Sequence, residues 1–236
     1  VPLLERLRYV TIVSNNLDEL FEIRVAELQQ IVRLGREESA AALANIEAIA
    51  VAARALVDRQ YTLLNDTLKP LLAAEGIVIH LMADWTDAQR QWASELFDRE
   101  VEPLLTPIAL DPAHPFPRIL NKSLNFIVEL DGIDAFGRRA GIAVVQAPRA
   151  LPRVLRVPSD IAGVRNGLML LTSVVQGFVG RLFPGLEVLA VHQFRVTRNS
   201  ELFVDDEEIT DLRAALQGEL PQRHFGDRSE EHTSEL

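Results

Sequence analysis

The chain has 236 residues, 48% hydrophobic and 25% charged, with a formal net charge of −10 and no cysteine. This is the composition of a globular chain with room for one large or two modest domains, and its acidic balance excludes a general nucleic-acid binder, whose affinity needs a surplus of Lys and Arg. It also excludes disulfides, thiol nucleophiles and zinc-thiolate sites, and no apolar run approaches the ~20 residues of a membrane helix.

The chain begins at Val1, already inside a helical pattern, so a preceding helix is expected to be missing. Val1 to Arg6 lacks the basic-then-apolar plan of a signal peptide, which makes the cytoplasm the expected compartment. Helical periodicity continues to about residue 75. Leu17, Leu20, Phe21, Val25, Leu28, Ile31 and Val32 recur at three- and four-residue steps and form one apolar stripe, with Arg24, Glu27 and Gln30 on the wet side. Asn16 followed by Glu19 has capping-box spacing, so Ser14-Asn15-Asn16 is expected to break two helices, the second starting at Leu17. From Ser39 to Leu64 the spacing gives one long helix in which Ala41, Ala42, Ala48 and Ala52 permit close helix approach. Pro70 is expected to kink or restart it.

A short apolar run, Ile77-Val78-Ile79, follows, and Thr86-Asp87-Ala88-Gln89 forms a second capping box for a helix ending before Pro103. Beyond it the period changes to that of strands at residues 123–130, 141–145 and 188–196, with turns rich in Pro and Gly. Helices are expected around Ser173–Val179 and over Asp205–Leu216. These elements give a two-domain fold class: an all-α helical N-terminal domain over 1–85, then an α+β domain over 86–227 with a mixed or antiparallel sheet. Residues 228–236, Arg-Ser-Glu-Glu-His-Thr-Ser-Glu-Leu, look like a translated short-read sequencing adapter and are expected to be foreign.

Self-contained catalytic signatures are missing: there is no phosphate-binding glycine loop, G-x-G-x-x-G, H-E-x-x-H or G-x-S-x-G. His80, His114, His192 and His224 lie far apart and read as structural or surface residues, so no catalytic residue and no metal ligand is assigned. Asp205-Asp206-Glu207-Glu208 could hold a divalent ion, but at a helix start it reads better as compensation of the macrodipole. Lys122, Arg195 and Arg198 read as solvated surface charges.

The segment Ser14-Asn15-Asn16-Leu17-Asp18-Glu19, continued by Leu20-Phe21-Glu22-Ile23-Arg24-Val25-Ala26, resembles the S-N-N-L-D-E-F-F-x-x-R-V-A segment of bacterial polyphosphate kinases, with Leu20 in place of the usual aromatic. The resemblance continues through His114-Pro115-Phe116-Pro117, Asn121-Lys122-Ser123-Leu124-Asn125, Phe194 to Leu202 and Asp205-Asp206-Glu207, in the family's order. It covers Val1 to about Asp227.

The resemblance implies an enzyme that transfers the terminal phosphate of ATP reversibly to polyphosphate through a phosphohistidine intermediate, with Mg2+. It covers the helical N-terminal and head domains only. The nucleophilic histidine and the phosphate-gripping cations therefore belong to domains outside this chain, and the chain alone is expected to be inactive. A positive field in those domains would accommodate the acidic charge here. Asn16 corresponds to the position that meets the adenine ring of ATP, and its carboxamide offers the donor and acceptor which that edge needs; the same side chain is also the expected N-cap. The head domain is expected to form a homodimer. The alternative is a freestanding, non-catalytic scaffold or interaction module ending near Asp227.

Overall fold

The computed structural model describes residues 1–35, 37–110, 117, 119–133, 137 and 141–198, and the backbone of Arg228–Thr233. Contact density divides the chain into two units, the first comprising Val1–Leu68, Arg118–Lys122 and Val196–His232, the second Lys69–Pro117, Ser123–Arg195 and Thr233–Leu236.

In the first unit, α1 (Leu3–Glu19) runs into a π turn at Leu20–Val25 and then α2 (Ala26–Arg33). The expected break at 14–16 is absent and Asn16 is not a cap, because it lies inside α1. Tertiary contacts override the turn preference of Ser-Asn-Asn: the Gln60 Nε2 donates to the Val10 carbonyl at 2.6 Å and to Ser14 Oγ at 2.7 Å. The irregularity comes one turn later, as the π turn. Leu17, Phe21 and Val25 are buried, and so are Asp18, Glu22 and Ala26. Two successive four-residue steps drift off one face of a helix with 3.6 residues per turn, and the residue inserted by a π turn restores them to it.

Gly35, at φ 61, ends α2, and the Ser39 hydroxyl donates to the Ile31 carbonyl across the turn. Helix α3 (Ser39–Thr62) then packs back. Leu17, Phe21, Val25 and Ala53 form the core of this unit, with Val13, Leu20, Ile46, Ile49 and Val57 around them. A second π turn, Leu63–Leu68, follows α3 and precedes α4 (Lys69–Ala74). It widens the backbone ladder just before Pro70, whose ring would otherwise meet the carbonyl four residues back. The helical stretch Ser39–Ala74 has the length and apolar composition to cross a membrane, with 11% of its most apolar window buried. The expectation of no such segment looked for an unbroken apolar run, whereas here a high alanine content raises the mean.

In the second unit, β1 (Ile77–Ile79) precedes α5 (Asp87–Leu96), whose capping box is formed as expected: Thr86 Oγ1 accepts from the Gln89 amide and Gln89 Oε1 from the Thr86 amide. Strands β2 (Thr106–Leu110), β3 (Leu124–Asp131), β4 (Ile142–Ala147) and β5 (Val154–Val157) follow. Then come α6 (Ser159–Ala162), β6 (Asn166–Leu170), α7 (Leu171–Phe178) and β7 (Glu187–Arg198). The sheet β1-β6-β5 is mixed, with β1 parallel and β5 antiparallel to β6. The sheet β2-β4-β3-β7 is antiparallel, and the backbone of β8 (Arg228–Thr233) follows β7 in strand order. The core here runs from Trp85 and Phe97 through Phe126, Val145 and Met169 to Val174 and Phe183. An all-α opening followed by mixed and antiparallel sheets agrees with the expected fold class. The helix expected over Asp205–Leu216 lies outside the described residues.

Candidate functional site

In the first unit, three segments far apart in sequence meet at the π turn. Glu22, 9% exposed, projects from Leu20–Val25. Its Oε1 accepts from Asn121 Nδ2 at 2.6 Å, and its Oε2 lies 2.6 Å from Lys122 Nζ. Asn121 Oδ1 in turn accepts from the Arg198 backbone amide at 2.9 Å. The Lys122 amide donates to the Val196 carbonyl at 2.8 Å, and Arg198 Nε donates to the Ile119 carbonyl at 3.1 Å. One carboxylate thus fixes a loop that is itself tied on its far side to the end of β7.

Lys122 has φ 55, a left-handed conformation that a lysine side chain rarely adopts. Its amide and its ammonium are both engaged, which is how the surroundings enforce it. The expectation that Lys122 and Arg198 are solvated surface charges is therefore corrected: Lys122 is paired with a buried carboxylate, and Arg198 holds the loop backbone. Sequence reading missed Glu22, because its partners lie about a hundred positions away. The signal for it was the spacing of Asp18, Glu22 and Ala26 beside Leu17, Phe21 and Val25.

Asn16 is exposed on α1, and among the described residues its carboxamide makes no hydrogen bond. Its donor and acceptor are free for a ligand edge, and the competing capping role is gone. It lies six residues before Glu22, about 9 Å along a regular helix. A groove of about 780 Å³ opens between α1 and α3, lined by Tyr9, Val10, Val13, Leu56, Gln60 and Leu63.

The histidines are not brought together. His80 follows β1 in the second unit, its Nδ1 3.3 Å from Gln89 Nε2 and its Nε2 buried without a partner. Since Gln89 Oε1 is committed to the Thr86 amide, Nε2 of Gln89 is the group that faces His80, and the imidazole accepts at Nδ1. Burial lowers its pKa below the ordinary value. His192 is exposed on β7, while His114, His224 and the run Asp205–Glu208 lie outside the described residues. Among the described residues no group of three or more His, Asp or Glu could hold a metal ion.

The polyphosphate kinase N-terminal domain family matches residues 1–80, and the polyphosphate kinase middle domain family matches residues 88–230. A polyphosphate kinase of Burkholderia vietnamiensis (strain G4 / LMG 22486) is 56% identical over 234 residues, covering 96% of this chain and 34% of the relative. One from Paraburkholderia phytofirmans (strain DSM 17436 / LMG 22146 / PsJN) is 56% identical over 230 residues with the same coverage. The chain thus spans about a third of the length of these curated relatives. The crystal structure of polyphosphate kinase from Porphyromonas gingivalis superposes with a TM-score of 0.73 at 23% identity, over 87% of this chain and 30% of that one, a likeness of fold.

Proposed function

The chain belongs to the polyphosphate kinase family, and from that premise we propose that it is the N-terminal part of an enzyme that transfers the terminal phosphate of ATP reversibly to polyphosphate. The observation that carries the reading is the match of both domain families in order along the chain, together with 56% identity over 96% of it to named polyphosphate kinases. On this reading residues 1–85 form the helical domain and 86–227 the head domain. The phosphohistidine nucleophile and the groups that hold Mg2+ belong to the parent enzyme outside this chain, which acts in the cytoplasm as a homodimer through its head domain.

Within that division of labour the chain contributes binding and orientation. Asn16 contacts adenine: a carboxamide presents one donor and one acceptor side by side, matching the exocyclic amine and adjacent ring nitrogen of the base. Its exposure and its lack of a hydrogen bond among the described residues support this role. Among the described residues no His, Asp or Glu cluster would hold magnesium.

In the full-length enzyme, Asn16→Ala is expected to raise the KM for ATP about thirtyfold, the loss of roughly two hydrogen bonds at ~1 kcal/mol each, with little change in folding stability. An unchanged KM would remove Asn16 from the nucleotide site. Failure of the full-length protein to form polyphosphate from ATP would overturn the assignment as a whole.

A further inference from the structure

The π turn at Leu20–Val25 is the one irregularity between Asn16 and α2, and Glu22 sits inside it. A π turn is rare, and it persists where side-chain contacts outweigh its poorer backbone geometry. Here both carboxylate oxygens are occupied, by Asn121 and by Lys122. The loop carrying these partners cannot follow the helix, since Val196 and Arg198 hold its backbone and the Asn121 side chain from the other side. Lys122 is kept in the left-handed region by the same set of contacts. Glu22 therefore anchors the turn to a fixed point.

The register of that turn has a geometric consequence. The inserted residue is worth about 100° of azimuth at 3.6 residues per turn. Were Leu20–Val25 to relax to an ordinary α register, Asn16 would change its angular position by that amount relative to α2 and to the loop at 119–122. The face on which Asn16 stands thus depends on a residue six positions away whose own carboxylate is turned to Asn121 and Lys122.

We propose that Glu22 is a positioning residue: through its clamp on Asn121 and Lys122 it holds the π register and so sets the direction from which Asn16 meets the nucleotide. This rests on the adenine-contact reading of Asn16 given above. The substitution that tests it is Glu22→Gln, which keeps the shape and one acceptor for Asn121 but turns an amide donor toward the Lys122 ammonium.

In this chain, hydrogen exchange at amides 24–27 is expected to quicken at least tenfold in the E22Q variant while the thermal midpoint of the second unit is unchanged. In the full-length enzyme E22Q is expected to raise the KM for ATP about fivefold with kcat within twofold, and adding N16A to it should raise KM no further than N16A alone. Unchanged exchange, or E22Q and N16A effects that multiply, would overturn the proposal. If N16A alone leaves KM unchanged, the adenine-contact reading fails and the positioning role falls with it. If N16A raises KM and E22Q does not, the positioning role fails by itself. Should E22Q not fold, K122M applies the same test from the other side of the clamp, with the same outcomes.

Discussion

Gly167 lies on β6, the strand between β1 and β5, paired with Val78 on one side and Val157 on the other. A methyl group added there would sit closer than 3.0 Å to the Ala162 methyl and 3.0 Å from His80 Nε2. Carbon atoms at rest lie 3.5–4.0 Å apart, so at least ~0.5 Å must be found. Neither neighbour yields easily. Ala162 is 5% exposed and its methyl is fixed to the backbone of α6, whose amide hydrogen-bonds the Pro158 carbonyl; His80 is held by its own amide to Leu168. Gly167→Ala is therefore expected at the upper end of the range for overpacking, ~3 kcal/mol.

Ala162→Gly removes the obstructing methyl and on its own costs ~1 kcal/mol, mostly through the backbone. The double variant should be about 2 kcal/mol more stable than Gly167→Ala alone, so that a destabilising change becomes stabilising in the altered background. Urea unfolding followed by tryptophan fluorescence measures this directly, because Trp85 and Trp92 both belong to the second unit. At an m-value of ~2 kcal/mol/M the single variant lowers the midpoint by about 1.5 M. A loss under ~0.5 kcal/mol, or strict additivity in the double variant, would refute the packing argument.

Thr86→Ala removes the hydroxyl that receives the Gln89 amide and should cost ~1 kcal/mol; Thr86→Ser, which keeps the acceptor, should recover most of it in the same urea experiment. His80 gives stability a pH dependence. Its folded pKa is lowered by burial while the unfolded chain keeps the ordinary value of 6.5, so the unfolded state takes the proton first. Stability from this group is complete above about pH 6.5 and declines as pH falls below it. Urea midpoints at pH 7.5 and 5.5 should differ more for the native sequence than for His80→Asn.

What the sequence disclosed follows how local the physics is. The Thr86 box is written in four adjacent residues, and β3, β4 and β7 carry long apolar or alternating runs; all were expected where they occur. Strands β2, β5 and β6 were not. They have 5, 4 and 5 residues, β2 contains Pro107 and β6 contains Gly167, so each lacks the length or composition that marks a strand. Ser14-Asn15-Asn16 misled because its turn preference is local, while the bonds from Gln60 that keep it helical come from another helix. Asn16 itself was singled out as a nucleotide contact through the resemblance alone. Lys122 was misread for the same reason as the helix break: its partner, Glu22, is a hundred positions away.

The energetics of the Glu22 clamp argue for what it is there to do. Its side chain is 12% exposed and that of Lys122 38%, so pairing them gives up much of the hydration of one charge and part of the other. Pairs of this kind return little net stability, ~1 kcal/mol or less, once desolvation is set against attraction, and well-packed apolar side chains would hold helix to loop at least as firmly. Apolar contacts, however, tolerate sliding. Two charge-assisted bonds of 2.6 Å to a side-chain amide and an ammonium do not, because each has a preferred direction as well as a length. A polar clamp in a π turn that must hold one register is a device for angular definition, and the side chain whose angle it defines is Asn16.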